Sequence, residues 1–333
     1  MDPALIGQWY GPSEHMTPPD LSEIAFSGVR TLRAFSQRIP GAGGVLARSL
    51  HDTVKGRTVM ITGASSGIGQ ATALKIGEAG GTLLLVARTQ AKLQEVAEEV
   101  DQLGGVAYVH PCDLSEPADI DRMAAEVLER HGHVDVLVNN AGKSIRRSIS
   151  QSYDRFHDYQ RTMQLNYFGP VKLILDLLPV MRERQSGHII NISTMGLQMN
   201  APRFAAYLAS KAALDAFSHS IGAEIIGDGV HITTIYMPLV RTPMIAPTKM
   251  YDHFPTLSSE QAANMIGEAI RKRPKRVTTK IGSLGQLSYA IAPGAQDLVV
   301  NRAYQLFPEG GGEPQPETAE QRAFARATRG AYW

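Results

Sequence analysis

Tyr207 and Lys211 stand four residues apart in Tyr207-Leu208-Ala209-Ser210-Lys211, a spacing that places a phenol and an ammonium on one face of a single helical turn. Such a pair reads as an acid–base device. A free tyrosine loses its proton near pH ~10, and a fixed cation beside it lowers that value by favouring the phenolate, a tenfold change in acidity being worth ~1.4 kcal/mol. Tyr-x-x-x-Lys is also a common incidental helix pair, so its meaning depends on what else the chain carries.

Upstream, Arg57-Thr58-Val59-Met60-Ile61-Thr62 is a β-branched run leading into Gly63-Ala64-Ser65-Ser66-Gly67-Ile68-Gly69 and then a helical stretch at 70–79. This is a strand, a glycine turn and a helix start, an arrangement in which backbone N–H groups and the positive helix end approach a diphosphate closely. The spacing is Gly-x-x-x-Gly-x-Gly rather than Gly-x-Gly-x-x-Gly. Strand-like runs at 57–62, 82–87, 106–110, 134–139, 187–193, 230–236 and 276–281 alternate with amphipathic helical stretches. That alternation predicts an α/β fold of right-handed β-α-β units on a parallel sheet.

Together with Asn139-Asn140-Ala141-Gly142, these motifs resemble the short-chain dehydrogenase/reductase family over residues 54–282. The resemblance implies a Rossmann-type doubly wound sheet of seven parallel strands in a single core domain that binds a nicotinamide dinucleotide. Around that core, residues 1–53 form a partly helical N-terminal extension, and 283–333 a C-terminal extension with a linker at 309–316. The core contains a substrate loop at 239–257.

The family pattern assigns roles residue by residue. Gly63, Ser65, Ser66, Gly67, Ile68 and Gly69 make the phosphate turn, Asp113 contacts the adenine, and Asn140, Ala141 and Gly142 line the ribose side. Asn166 supplies the carbonyl that holds a water linking the lysine to solvent, and Lys211 also grips the nicotinamide ribose. Thr194, thirteen residues before Tyr207, takes the place of the usual orienting serine, with Ser193 as the fallback. Threonine keeps one donor and two acceptor sites, although its methyl group restricts the rotamer. Thr242 is expected at the nicotinamide carboxamide, where Met237-Pro238-Leu239 replaces the usual Pro-Gly and stiffens that wall.

Cofactor choice follows from Leu83-Leu84-Leu85-Val86-Ala87-Arg88-Thr89, which carries no acid for a ribose 2′-hydroxyl. Arg88 stands where a guanidinium pairs with a 2′-phosphate, so NADP(H) is expected, a solvated arginine being the alternative. The implied chemistry is carbonyl reduction, with Thr194 and Tyr207 on the carbonyl oxygen and Tyr207 as proton donor.

Substrate residues are sought in Pro243-Met244-Ile245-Ala246-Pro247-Thr248-Lys249-Met250, which is apolar and methionine-rich. With Met195, Met199, Phe204 and Met237 it suits a slot for a long alkyl chain, and equally an ordinary core. Arg146 and Arg147, with Lys143, Arg203, Arg241 and Lys249, suit coenzyme A phosphates or a solvated rim. The runs Ser144-Ile145-Arg146-Arg147, Phe156-His157-Asp158, Met163-Gln164-Leu165-Asn166-Tyr167-Phe168-Gly169, the segment 236–249 and Lys272-Arg273-Pro274-Lys275-Arg276 resemble the bacterial fatty acyl-CoA reductases that make aldehydes for wax esters. This similarity runs on through Tyr289-Ala290-Ile291-Ala292-Pro293 to Leu306-Phe307-Pro308. It implies reduction of a long-chain acyl-CoA by NADPH to an aldehyde and free coenzyme A. A ketone, 3-oxoacyl or hydroxysteroid reductase with the same tetrad, and an NADP-binding scaffold that turns nothing over, stay open. The sole cysteine, Cys112, adjoins the adenine-side Asp113, which argues against an acyl-cysteine route and for direct hydride transfer to the thioester.

The 333 residues are 43% hydrophobic with a formal charge of +1, and no apolar run is long enough to span a bilayer. Nucleic-acid binding has no support from charge. The start lacks a secretory layout and a single cysteine makes no internal disulfide, which places the chain in the cytoplasm. Residues 21–50 interleave Val29, Leu32 and Phe35 with Arg30, Arg33 and Arg38, a basic amphipathic helix that docks on protein in preference to a membrane surface. The stretch 284–307 is apolar, split at Pro293, and expected at an acyl entrance, while 317–329 reads as a short polar helix. Ser258-Ser259-Glu260-Gln261 is a capping box. The ten histidines show no metal-ligand spacing, His188, His231, His131 and His133 being assigned to surface or strand-edge positions, so no metal is expected. The family implies a dimer or tetramer formed through the two long helices flanking the fifth strand.

Overall fold

Strands in which neighbouring side chains on both faces are apolar must be covered on both sides, and the helices of this chain divide accordingly. The computed structural model describes residues 49–245 and 256–306, within the second of the two units into which the chain divides, Ser49–Trp333. The helix expected at 21–50, all but its last two residues, lies outside the described residues. So do Lys249 and Met250 of the substrate loop, the linker at 309–316 and the helix at 317–329.

Seven parallel strands, β1 (Thr58–Thr62), β2 (Thr82–Ala87), β3 (Val106–Pro111), β4 (Val136–Asn139), β5 (Gly187–Thr194), β6 (Val230–Met237) and β7 (Arg276–Val277), form one sheet in the order β3-β2-β1-β4-β5-β6-β7. This is the doubly wound arrangement expected of the sequence. The helices are α1 (Leu50–Val54), α2 (Gly67–Glu78), α3 (Gln90–Gln102), α4 (Pro117–His131), α5 (Phe156–Met163), α6 (Gly169–Glu183), α7 (Gly196–Met199), α8 (Ala205–Ile225), α9 (Ser259–Lys272), α10 (Lys280–Ile291) and α11 (Pro293–Leu306). Val59, Ile61, Leu83 and Leu85 pack with Ile76, Leu93, Val96, Ile266 and Ile270 from α2, α3 and α9. Met60, Leu84, Leu137 and Ile189 pack on the other face with Ile120, Met123, Leu173 and Leu177 from α4 and α6. Each such side chain contributes about 1.5–3 kcal/mol on leaving water.

A buried polar ladder ties the sheet centre to α8. Asn139 Nδ2 donates to Asn191 Oδ1 at 2.8 Å, Asn191 Nδ2 to Ser218 Oγ at 2.8 Å, and Ser218 Oγ to Leu214 O at 2.6 Å. Because an unpaired buried amide is costly, this ladder fixes how α8 sits against β4 and β5.

Two expectations need correction. The strand expected at 276–281 ends at Val277, because Thr279 Oγ1 accepts from Gly282 N at 3.1 Å and starts α10. His188 is no surface or edge residue: it is buried in β5, its Nε2 is 2.8 Å from Thr233 Oγ1, and burial pushes its pKa down to about 3, so the ring is neutral. The capping box forms as expected, with Ser258 Oγ accepting from Gln261 N at 3.1 Å and Gln261 Oε1 from Ser258 N at 2.9 Å. No described helix is long and apolar enough to cross a membrane.

Candidate active site

The strand order reverses between β1 and β4, and a crevice opens where the loops beyond their carboxyl ends part. After β1, Gly63 and Gly67 adopt φ of +66° and +58°, which side-chain-bearing residues rarely tolerate. A Cβ on Gly69 would overlap the Gly63 carbonyl oxygen, so only glycine lets α2 start this close to the strand. The N-cap Ser66 side chain does not cap the helix amides, and α2 has no acid in its first turn. The first amides of α2 are therefore left for an anion, which is the observation that fits a dinucleotide diphosphate to this turn.

Thr62 Oγ1 accepts from both Asn140 N and Ala141 N at 3.0 Å, and Asn140 Nδ2 donates to Thr62 O at 3.0 Å. These bonds lock the loop after β4 against the glycine turn. Thr242 closes the far side: a Cβ on Gly67 would sit 3.2 Å from Thr242 Cγ2. The segment after β6 is pinned by Arg241 N to Leu257 O and Leu257 N to Leu239 O, both 2.8 Å.

Tyr207 and Lys211 occupy the first two turns of α8. Lys211 is 4% exposed and its Nζ donates to Ile192 O at 2.8 Å. Desolvation penalises the ammonium and pushes its pKa down to about 8. Asn166 lies in a π-helical turn, Gln164–Phe168, between α5 and α6, where the widened backbone releases carbonyls from the regular ladder. A Cβ at Gly142 would lie 3.2 Å from Asn166 Oδ1 and 3.5 Å from Lys211 Nζ, so the three residues converge. Thr194 Oγ1 accepts from Gly196 N at 3.1 Å, which leaves its O–H to donate elsewhere. Ser193 is 4% exposed, and its Oγ finds no hydrogen-bond partner among the described residues.

One cavity of about 740 Å³ joins these groups. It is lined by Gly63, Ser65, Ser66, Gly67 and Ile68 at the turn, and by Arg88 and Asp113 beyond β2 and β3. Asn140, Ala141, Gly142, Thr194, Tyr207, Lys211 and Thr242 line its middle. Met195, Met199, Phe204, Met237, Met244 and Arg146 line the remainder. Gly69 and Asn166 stand behind this wall.

Arg147 does not line the cavity. Its Nε donates to Asp158 Oδ2 at 3.2 Å, and Arg155, Arg161 and His157 surround the same carboxylate, which is 2% exposed. Burial raises the Asp158 pKa, but the field of Arg161, Arg155, His157 and Arg147 outweighs it and holds the carboxyl below its ordinary value. Arg147 is thus a counter-ion to a buried charge.

Sequence reasoning named neither Lys92 nor Ile281, which line the cavity, whereas the stretch 284–307, expected at an acyl entrance, supplies Val300, Ala303 and Tyr304 to its wall. Lys92 was findable, being four residues after Arg88. Ile281 reaches the cavity from the first turn of α10, and Val300 and Tyr304 from α11. Arg203, held at φ +69°, stacks its guanidinium 4.1 Å over the Tyr304 ring and donates to Tyr304 O at 3.0 Å. From α10, Gln286 Oε1 accepts from Arg276 Nη2 at 3.0 Å, and the same guanidinium group donates to Tyr236 Oη at 2.8 Å.

Residues 57–251 match the family described as short chain dehydrogenase. The chain belongs to the short-chain dehydrogenase/reductase family, whose members are oxidoreductases that use a nicotinamide cofactor. It is 52% identical to a fatty acyl-CoA reductase of Acinetobacter baylyi, over 85% of this chain and 97% of that protein. It is also 52% identical to an uncharacterized oxidoreductase of Mycobacterium tuberculosis, over 87% of this chain and 88% of that one. Among solved structures, a metagenomic short-chain oxidoreductase in complex with NADP superposes with a TM-score of 0.58 at 29% identity, covering 68% of this chain and 99% of that one.

Proposed function

We propose that this oxidoreductase uses NADPH to reduce long-chain fatty acyl-CoA to fatty aldehyde. The observation that carries the reading is the continuity of the cavity, from the glycine turn past Tyr207 and Lys211 to walls of methionine, phenylalanine and C-terminal helix. A polar, anion-binding end and an apolar end match a nucleotide at one side and an alkyl chain at the other. Half of the residues are shared with the Acinetobacter fatty acyl-CoA reductase along nearly its whole length. Arg88, with Lys92 on the same wall and no acid in the segment 83–89, supports NADP(H) over NAD(H).

When bound, NADPH supplies a hydride to the carbonyl carbon. The chain's own residues handle the oxygen. Tyr207 donates its phenolic proton to the carbonyl oxygen, and Thr194, oriented by the bond it accepts from Gly196 N, donates to the same atom. Lys211, buried and pinned to Ile192 O, holds a positive charge under the resulting phenolate. Asn166 positions the loop and π-turn through which a proton returns to Lys211. For a thioester, the hemithioacetal then loses its hydroxyl proton, the C–S bond breaks, and coenzyme A leaves as a thiol.

An acyl-cysteine route is disfavoured. Burial pushes the thiol of Cys112, the chain's single cysteine, up to about 12. Self-association through α6 and α8, with Phe168 and Leu175 half-exposed beside α6 and on it, completes the proposal.

The test is a substrate panel. Palmitoyl-CoA with NADPH should yield hexadecanal and one free thiol per NADPH consumed. Turnover of ketones or hydroxysteroids in place of acyl-CoA would transfer the assignment to a ketone reductase. NADPH binding without any turnover would leave a scaffold.

A further inference from the structure

The pair α10–α11 carries much of its aliphatic surface on the outside. Leu284, Leu287, Ile291, Leu298 and Val299 are 65%, 57%, 74%, 72% and 65% exposed, whereas aliphatic side chains of a water-facing helix normally turn inward. Its polar groups are partly engaged within the protein: the Ser288 hydroxyl pairs with Gln296 across the two helices, and Gln286 with Arg276 at the base. Between Lys280 and Arg302 the only charged residue is Asp297. The inner side of the same hairpin contributes Ile281, Val300, Ala303 and Tyr304 to the cavity wall, so apolar surface runs from the cavity to the outside.

We propose that the outer face of the α10–α11 hairpin seats the protein on the surface of an anionic lipid bilayer, with the cavity mouth at the membrane. Charge complementarity names this occupant. Lys272, Lys275 and Lys280 are exposed on the segment that leads into and starts α10, and Glu268 is the acid paired with them, through Lys272 at 2.7 Å. An apolar face beside a cationic base suits acyl chains beneath anionic headgroups. Length decides between lying on the membrane and spanning it. With 12 and 14 residues, α10 and α11 are short, and at about 1.5 Å per residue they extend about 18–21 Å against a hydrocarbon core of about 30 Å. The hairpin therefore lies in the interface. The biological sense rests on the acyl-CoA reading, since a long acyl chain delivered from a bilayer enters the cavity without crossing water.

The full-length protein is sedimented with phosphatidylcholine vesicles, with and without phosphatidylglycerol, in the absence of any substrate. The wild type should pellet with vesicles, and more strongly with phosphatidylglycerol. Leu287→Ser/Ile291→Ser/Leu298→Ser, three solvent-facing changes, should lower the partition coefficient at least about a hundredfold. Lys272→Gln/Lys275→Gln/Lys280→Gln should erase the preference for phosphatidylglycerol and leave the circular-dichroism melt unchanged. A wild type that stays in the supernatant with both vesicles overturns the proposal, as does a serine variant that pellets like the wild type. A serine variant that turns an oligomer into a monomer without changing vesicle partition also overturns it, in favour of a second copy. Because no substrate is present, failure of the acyl-CoA reading shows only in the substrate panel and leaves this result standing.

Discussion

Lys143 and Asn166 are joined by two hydrogen bonds, Lys143 N to Asn166 Oδ1 at 2.8 Å and Asn166 Nδ2 to Lys143 O at 2.9 Å, and Asn166 Nδ2 also reaches Ser210 Oγ at 3.0 Å. One fully buried amide thus clamps the loop after β4, the π-turn and α8. Asn166→Ala removes the partners of the part-buried Lys143 N–H and carbonyl and leaves a void at a fully buried position, the unpaired groups costing up to about 1–3 kcal/mol each. We expect a loss of about 3–5 kcal/mol in denaturant unfolding, with an unchanged slope. A loss below about 1 kcal/mol would show that the clamp is dispensable.

Tyr207→Phe removes one hydroxyl and keeps the ring that meets Phe204 edge-on at 6.4 Å. The reduction rate should fall about 10²–10⁴-fold, the usual worth of a positioned general acid. NADPH affinity, followed by fluorescence titration, should stay within about twofold, a change below ~0.5 kcal/mol. Retained turnover would remove Tyr207 from the mechanism.

The depressed pKa of Lys211 sets a pH limit. In the folded protein the ammonium is present below about 8 and lost above it, whereas the unfolded chain holds its proton up to the ordinary lysine value of 10.5. Acyl-CoA reduction should therefore decline as pH rises through about 8. Stability moves the other way. Between those two values the unfolded state binds more protons, so unfolding free energy contributed by Lys211 rises with pH. Lys211→Met should abolish the alkaline limb of the stability profile, measured by thermal melts across that window.

Arg88→Ala should raise the KM for NADPH about 10–100-fold and leave that for NADH nearly unchanged, since a charge-assisted contact to a 2′-phosphate is worth about 1.5–3 kcal/mol. Lys92→Ala should act in the same direction with a smaller effect. Equal losses for both cofactors would remove the guanidinium from 2′-phosphate recognition.

Arg146 and Arg147 are neighbours with opposite expected phenotypes. Arg146→Ala should raise the KM for palmitoyl-CoA with little change in melting temperature, because its side chain lines the cavity. Arg147→Ala should lower stability by about 1–3 kcal/mol and leave KM unchanged, because it weakens the shell around Asp158. Arg155, Arg161 and His157 remain around that carboxylate, which keeps the loss moderate.

Much of the architecture was legible because its signals are local. Apolar pairs such as Leu83 and Leu84 on adjacent positions announce a strand covered on both faces, and glycines at 63, 67 and 69 announce a turn that approaches a helix start. The strand expected at 276–281 failed because Thr279 offers a helix cap, and a cap outcompetes β-branched propensity at the end of a short edge strand. His188 was misplaced because a central strand hides its flanks as well as its middle.

The sequence by itself determined the parallel α/β plan, the glycine turn and the shared helical face of Tyr207 and Lys211, since each depends only on periodicity and backbone freedom within a few residues. Only the tertiary structure decided that Lys211 loses its solvent, that Arg147 answers to Asp158 while Arg146 faces the cavity, and that α10–α11 turns its leucines outward. Burial and pairing of distant residues depend on how elements pack, and packing is a property of the whole chain that no local spacing contains.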